Sequence, residues 1–186
     1  MPEKRIEISD TELLQLFRDG DNKNYAFNLI VKKYQERLYW HIRKIVIDHD
    51  DTDDILQNTF LKIWKGLDSF REEAGLFTWL YRIATNESLT FLNKKKKKFL
   101  LPIVDVEYQL SNNLESDEYF DGDEIQLKLQ KALLTLPEKQ RLVFNMKYFE
   151  EMKYEEMAEI LDTSVGALKA SYHHAVKKIE KYLTGD

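Results

Sequence analysis

Tyr154-Glu-Glu-Met-Ala-Glu-Ile-Leu161 and Ser164-Val-Gly-Ala-Leu-Lys-Ala-Ser-Tyr-His-His-Ala-Val-Lys177 are separated only by Asp162 and Thr163. Met157, Ala158 and Leu161 fall on one face of the first segment. Val165, Leu168, Tyr172, Val176, Ile179 and Leu183 recur at helical spacing through the second, with Ser164 as its N-cap. Two short helices about a tight turn, with small Ala158 at the crossing, make a helix-turn-helix pattern. The second helix then turns Gly166, Lys169, Ala170, Ser171, His173, His174 and Lys177 outward. Small residues let its backbone approach a groove, and Ser164, Lys169, Ser171, His173, His174 and Lys177 are candidates for phosphates or base edges. The plainer reading is a helical hairpin with a solvated face.

Working outward, Ile125 to Leu136 reads as a helix stopped by Pro137, which is expected to open the next helix at its first position and run to Tyr148. Upstream of Ile125 the periodicity vanishes. From Leu101 to Glu124 the chain is irregular, marked by Pro102, Ser111, Asn112, Asn113 and Gly122. So long a structureless stretch is unusual inside one compact domain and reads as a linker. Before it the helical period returns. Ser9-Asp-Thr-Glu12 is a capping box, and Asp19-Gly-Asp-Asn22 ends the first helix. Phe27, Ile30, Val31, Tyr34, Leu38, Ile42, Ile45 and Val46 mark a second. A break is expected at Asp48-His49-Asp50, then a third helix with Ile55, Leu56, Phe60, Ile63 and Trp64. A loop from Asp68 to Gly75 precedes a fourth, with Phe77, Leu80, Tyr81, Ile83, Ala84, Leu89 and Leu92, that runs into Lys94–Lys98.

Composition narrows the classes. The chain has 186 residues with 43% hydrophobic and 12% aromatic content, enough for a real core. Six Gly and three Pro are few for a turn-rich β fold. The lack of Cys excludes disulfide frameworks and thiolate zinc sites, and the four His show no metal-ligand spacing, so no metal or cofactor is expected. No catalytic triad pattern or phosphate loop is visible, which argues against an enzyme. No apolar run approaches a membrane span of about 18 residues, which points to a cytoplasmic protein without membrane insertion. The net charge of −5 hides a sharp pattern: residues 1–93 carry −3, Lys94–Lys98 carry +5, residues 99–124 carry −8 and residues 125–186 carry +1. Together with the helical periods, that switch predicts an all-α protein of two small helical domains, 1–98 and 125–186, joined by an irregular acidic linker, 99–124.

Asp51-Thr-Asp-Asp54-Ile-Leu-Gln57-Asn-Thr-Phe60-Leu-Lys-Ile-Trp64, Phe70 and Phe77-Thr-Trp79-Leu-Tyr-Arg82-Ile-Ala-Thr-Asn86 resemble region two of bacterial RNA polymerase sigma factors. The resemblance is greatest to the extracytoplasmic-function group of the sigma-seventy family. Leu136-Pro-Glu-Lys-Gln-Arg141 and the helix-turn-helix resemble that family's region four. The match covers 9–98 and 125–183 in the family's order.

The resemblance implies a promoter-specificity factor that directs core RNA polymerase to minus-ten and minus-thirty-five elements and assists initiation, with no catalytic site. Asp51, Asp54, Gln57 and Asn58 would dock on the clamp helices of the largest subunit, and region four on the flap. The acids near Asp51 also suit a helix N-terminus on charge alone. Trp79, Arg82 and Asn86 would meet the opened minus-ten DNA, Asp68 to Gly75 would hold a flipped base, and Lys94, Lys95 and Lys96 would meet phosphates. Thr85 stands where the family often has arginine. The linker would either thread a nucleic-acid channel of the polymerase or act as a charged spacer, and an anti-sigma factor is a possible further partner. A helical repressor or activator working without polymerase would need no Asp54/Gln57 docking face, and purification with polymerase separates the sigma-factor reading both from it and from an adaptor that binds only protein.

Overall fold

The computed structural model describes residues 8–99 and 124–185, among which no strand occurs; most of the acidic linker lies outside the described residues. The first block holds α1 (Asp10–Asp19), α2 (Lys23–Val46), α3 (His49–Leu67) and α4 (Leu76–Phe99). The second holds α5 (Glu124–Leu134), α6 (Glu138–Tyr148), α7 (Tyr154–Leu161) and α8 (Val165–Thr184).

Local chemistry sets the helix ends. Ser9 forms the expected capping box: its hydroxyl accepts from the Glu12 amide, and the Glu12 carboxylate accepts from the Ser9 amide at 2.8 Å. Those hydrogen bonds from Ser9 hold the Glu12 carboxyl below its ordinary range. The break near residue 49 is narrower than the sequence predicts, because α3 already begins at His49, with Asp48 as its cap. The reversal falls on Ile47, whose φ of 66° is left-handed. A β-branched residue there costs about 1–3 kcal/mol, offset by burying the Ile47 side chain. In the second block α5 ends at Leu134 rather than Leu136, and Pro137 is the N-cap of α6 rather than its first helical residue. Pro137 has ψ of 141°, so it stays extended while its carbonyl accepts the first helical bond from Arg141. Asp162 ends α7 with φ of 48°, a left-handed position where Asp is tolerated better than most residues.

In the first block α2 is the central rod. Ile30, Tyr34, Leu38 and Ile42 are almost wholly buried along it, and α1, α3 and α4 all pack against it. Phe17, Phe27 and Trp64 meet edge-to-face across α1, α2 and α3. The second block has its own cluster of Ala132, Leu133, Leu136, Phe144, Ala175 and Ile179, joining α5, α6 and α8.

The two blocks are not separate beads. Leu142, Val143, Met146, Met152, Met157, Ile160 and Leu168 lie in the same buried cluster as the α2 and α4 residues. The broadest contact between blocks is α4 against α7, with a smaller one between α2 and α6. At about 1.5–3 kcal/mol for each large apolar side chain fully buried, the shared cluster is a substantial joint.

Candidate nucleic-acid and polymerase interface

Three faces carry the residues singled out from sequence. The first is on α3. Asp54, Gln57 and Asn58 are exposed one turn apart, and Leu61 continues the row, also exposed. Asp51 is placed differently: its carboxylate accepts from Lys95 at 2.6 Å and is only 21% exposed. Asp51 therefore ties α3 to α4, while the other three stand free of that brace.

The second face is on α4, where Trp79, Arg82 and Asn86 follow one another at three- and four-residue spacing. The Trp79 ring lies 4.7 Å from Phe70 and against Gly66, where a Cβ would come within 2.9 Å of Trp79 Cζ2. Gly66 is thus required for Trp79 to seat. The loop between α3 and α4 is pinned by Arg18, which pairs with Glu72 and donates to the Phe70 carbonyl at 3.0 Å. Lys23 adds a pair with Asp68. Beside this loop opens a cleft of about 540 Å³ lined by Phe70, Arg71, Glu73, Trp79, Arg82 and Glu159. A second cleft of about 410 Å³ runs from Arg82 and Asn86 to Ile160 and Asp162.

Glu159, Ile160 and Asp162 belong to α7 and its turn, so the second block forms one wall of both clefts. Arg82 donates through Nε and Nη2 to the Glu159 carbonyl at 3.0 and 2.6 Å. Asn86 is exposed at the cleft mouth. In the lysine run, Lys95 binds Asp51 and Lys96 binds Glu138 of α6 at 2.6 Å, whereas Lys94 is exposed.

The third face is on α8. Ser164 accepts from the Ala167 amide as N-cap, so its hydroxyl is engaged within the helix end. Lys169 is exposed, with its ammonium 5.7 Å from the Tyr154 ring centre. His173, His174 and Lys177 are exposed, and Ser171 is half-buried. Among the described residues no second block packs over this face.

One cluster escaped sequence reasoning. His41 of α2 is 1% exposed. Its Nδ1 meets the Glu150 carboxylate at 3.0 Å and its Nε2 meets the Thr85 hydroxyl at 2.8 Å. Lys44 Nζ stands 3.7 Å from the same carboxylate, and Asn145 donates to the Lys44 carbonyl at 3.3 Å. Burial alone would raise the Glu150 carboxyl, but His41 and Lys44 outweigh it and hold it below its ordinary range. Burial pushes Lys44 down, partly countered by Glu150. The Tyr81 phenol, 4.8 Å from the His41 ring by centroid, is pushed up by burial and by the Glu150 charge. A lone His at a position that otherwise continues an apolar stripe was the only sequence signal; Glu150 lies 109 residues away.

Known proteins share this fold. The family model described as Sigma-70 region 2 matches residues 30–98, and that described as Sigma-70, region 4 matches residues 126–179. The chain is 28% identical over 184 residues to an ECF RNA polymerase sigma-E factor of Haemophilus influenzae, covering 94% of this chain and 95% of the relative. It is 29% identical to the ECF RNA polymerase sigma-E factor of Escherichia coli K12, covering 94% of each. Among solved structures it resembles CnrH in complex with the cytosolic domain of CnrY, with a TM-score of 0.70, 24% identity, and coverage of 95% of this chain and 98% of that one. It also resembles the sigma factor RpoE in complex with the anti-sigma factor NepR from Bartonella quintana, with a TM-score of 0.66, 21% identity, and coverage of 86% and 98%.

Proposed function

The chain belongs to the extracytoplasmic-function sigma factors of the sigma-70 family, and on that premise we propose how its three faces divide the work. As a sigma factor it directs core RNA polymerase to specific promoters and assists initiation; it is not an enzyme. The observation that carries the reading is the match of region 2 and region 4, in order, onto two helical blocks.

Asp54, Gln57 and Asn58 form the polymerase-docking face, supported by their shared exposure on α3. Asp51 acts there through its brace on α4. Trp79, Arg82 and Asn86 read the minus-ten element. The cleft beside Trp79 takes an unstacked base, whose extrusion costs a few kcal/mol and so favours the matching sequence. Lys94, with Lys95 and Lys96 once their carboxylate partners are displaced, neutralises phosphates. On α8, Lys169, Ser171, His173, His174 and Lys177 face the minus-thirty-five element, with Ser164 setting the helix N-terminus near the backbone. Domain limits of 1–98 and 125–186 follow, with 99–124 between them. No described helix is long and apolar enough to cross a membrane, and the site of action is the cytoplasm, where polymerase meets DNA. An anti-sigma partner suits the likeness to a sigma factor co-crystallised with the anti-sigma factor NepR.

In vitro transcription from a genomic library with core polymerase tests the reading. Discrete start sites that appear only when the chain is added are expected, and Asp54→Ala should reduce all of them together. A chain that retards DNA yet gives core polymerase no new start sites would refute it.

A further inference from the structure

We propose that Arg18 of α1, backed by Lys23 at the start of α2, is a positioning residue for base selection at the cleft beside Trp79. The proposal rests on the reading of that cleft as the seat of an unstacked minus-ten base. Of residues 69–74, all but Glu72 line the cleft. The Glu72 backbone has φ of 57°, a left-handed position for a residue that is not glycine. Such a conformation persists only where the surroundings hold it. Arg18 is what holds it: one guanidinium nitrogen pairs with the Glu72 carboxylate, and another donates to the Phe70 carbonyl at 3.0 Å. Lys23 pairs with Asp68 at the start of the loop. The loop is thus gripped from behind at Asp68, Phe70 and Glu72, while Arg71 and Glu73, on either side of Glu72, are left to the cleft.

The grip is itself rooted. Leu13, Leu14 and Phe17 bury the inner face of α1, and Phe17 meets Trp64 of α3 edge-to-face with ring centres 5.9 Å apart. Lys23 Nζ stands 5.2 Å from the centre of the Phe17 ring. Arg18 does not line the cleft, so it acts on a bound base only through the loop. The side-chain chemistry fits that task. A planar guanidinium holds two acceptors at once in a fixed geometry, which a single ammonium does not. Choosing one base among four needs a wall that keeps its shape, because a loop that must order itself on binding gives up affinity and discrimination. The Arg18 and Glu72 side chains are 45% and 43% exposed, and an ion pair so exposed adds little to global stability. Fixing the loop, rather than stabilising the fold, is what such a pair does.

Transcription by core polymerase with the full-length chain, on promoters randomised at each minus-ten position in turn, tests the proposal. Arg18→Gln should lower base preference about fivefold at the single position that the cleft takes, within the range that one mismatched base commands. Preferences at the other minus-ten positions and at the minus-thirty-five element should stay at wild type. Glu72→Ala should give the same selective loss, and the double variant little more than either alone, because both break one pair. Arg18→Lys should restore part of the preference, since it keeps the charge but not the fork. Hydrogen exchange on the free Arg18→Gln chain should quicken in residues 68–75 and stay unchanged in α2. If circular dichroism shows Arg18→Gln to be misfolded, Lys23→Gln decides by the same selective loss. Wild-type preference in the folded variants, unchanged exchange in the loop, or an equal loss at every position would overturn the positioning role. Failure of the cleft reading looks different: Ala74→Trp, which fills the cleft, would leave every minus-ten preference at wild type. A selective effect of Ala74→Trp with none from Arg18→Gln removes the positioning role alone.

Discussion

The two helices assigned to DNA differ in what stands before them. On α4, Trp79 and Arg82 are half-buried, and α7 forms the wall of the cleft they line. On α8, Lys169, His173, His174 and Lys177 are exposed, with no other block over them among the described residues. Both helices arise from the same kind of sequence, an apolar stripe with a polar flank. The stripe decides which side goes inward, but the tertiary partner decides whether the other side is open. Hence the polar side of α8 stays open among the described residues, while α7 covers most of that side of α4.

The comparison breaks most severely at the joint. Met157 is fully buried in the cluster shared by both blocks. Met157→Ala should lower stability by about 2–5 kcal/mol in urea denaturation, and should loosen α7 from α4 before α8 loses its own seat on α6. A loss below 1 kcal/mol, about the level of a tolerated swap, would mean that α7 is only loosely laid against α4.

Acid offers a second, smaller perturbation. The Glu150 carboxyl lies below its ordinary range because His41 and Lys44 outweigh its burial. A depressed carboxyl contributes stability above its unfolded value of about 4.3 and loses it as pH falls through the lowered value. A fluorophore pair on Tyr25→Cys and Tyr182→Cys, exposed on the two blocks of a chain without cysteine, reads the joint by energy transfer, which should hold from neutrality down to the ordinary glutamate range and fall below it. In Glu150→Gln that acid step should vanish, whereas the remaining groups around the ring, His41, Lys44 and Tyr81, are unchanged. An acid step of the same size in both proteins would move the cause elsewhere.

The smallest effect belongs to the open helix. Ser164 caps α8 by accepting from the Ala167 amide at 3.3 Å. Ser164→Ala should cost about 1 kcal/mol of stability, measured by thermal melting, and leave inter-block transfer unaltered because the cap lies outside the joint between the blocks. A change in that transfer would show that the two helices are coupled more tightly than their surroundings indicate.

Much of this was legible in the sequence because it is local. The Ser9 capping box, the apolar stripe of α2 and the Asp162–Thr163 turn follow from spacing and caps that act over a few residues. The errors were local as well. Ile47, rather than Asp48 to Asp50, takes the reversal before α3, because its buried side chain offsets the left-handed backbone. Pro137 caps α6 from outside because its extended ψ precedes the helix. What periodicity could not reveal is what covers a face. Lys95 and Lys96 read as free phosphate contacts, yet Asp51 and Glu138 reach them from other helices. His41 interrupts a stripe that otherwise reads as core, and its partner Glu150 is fixed only when α6 docks on α2.

The account turns on two helices reading two separate promoter elements, and paired substitutions in one promoter-library transcription assay test it most directly. With core polymerase, Asn86→Ala should relax base preference within the minus-ten element and leave minus-thirty-five preference at wild type. Lys169→Ala should weaken discrimination, or overall dependence, at the minus-thirty-five element alone. If both variants depress every promoter by the same factor, or if both alter preference at the same element, the assignment of α4 and α8 to separate promoter elements is wrong.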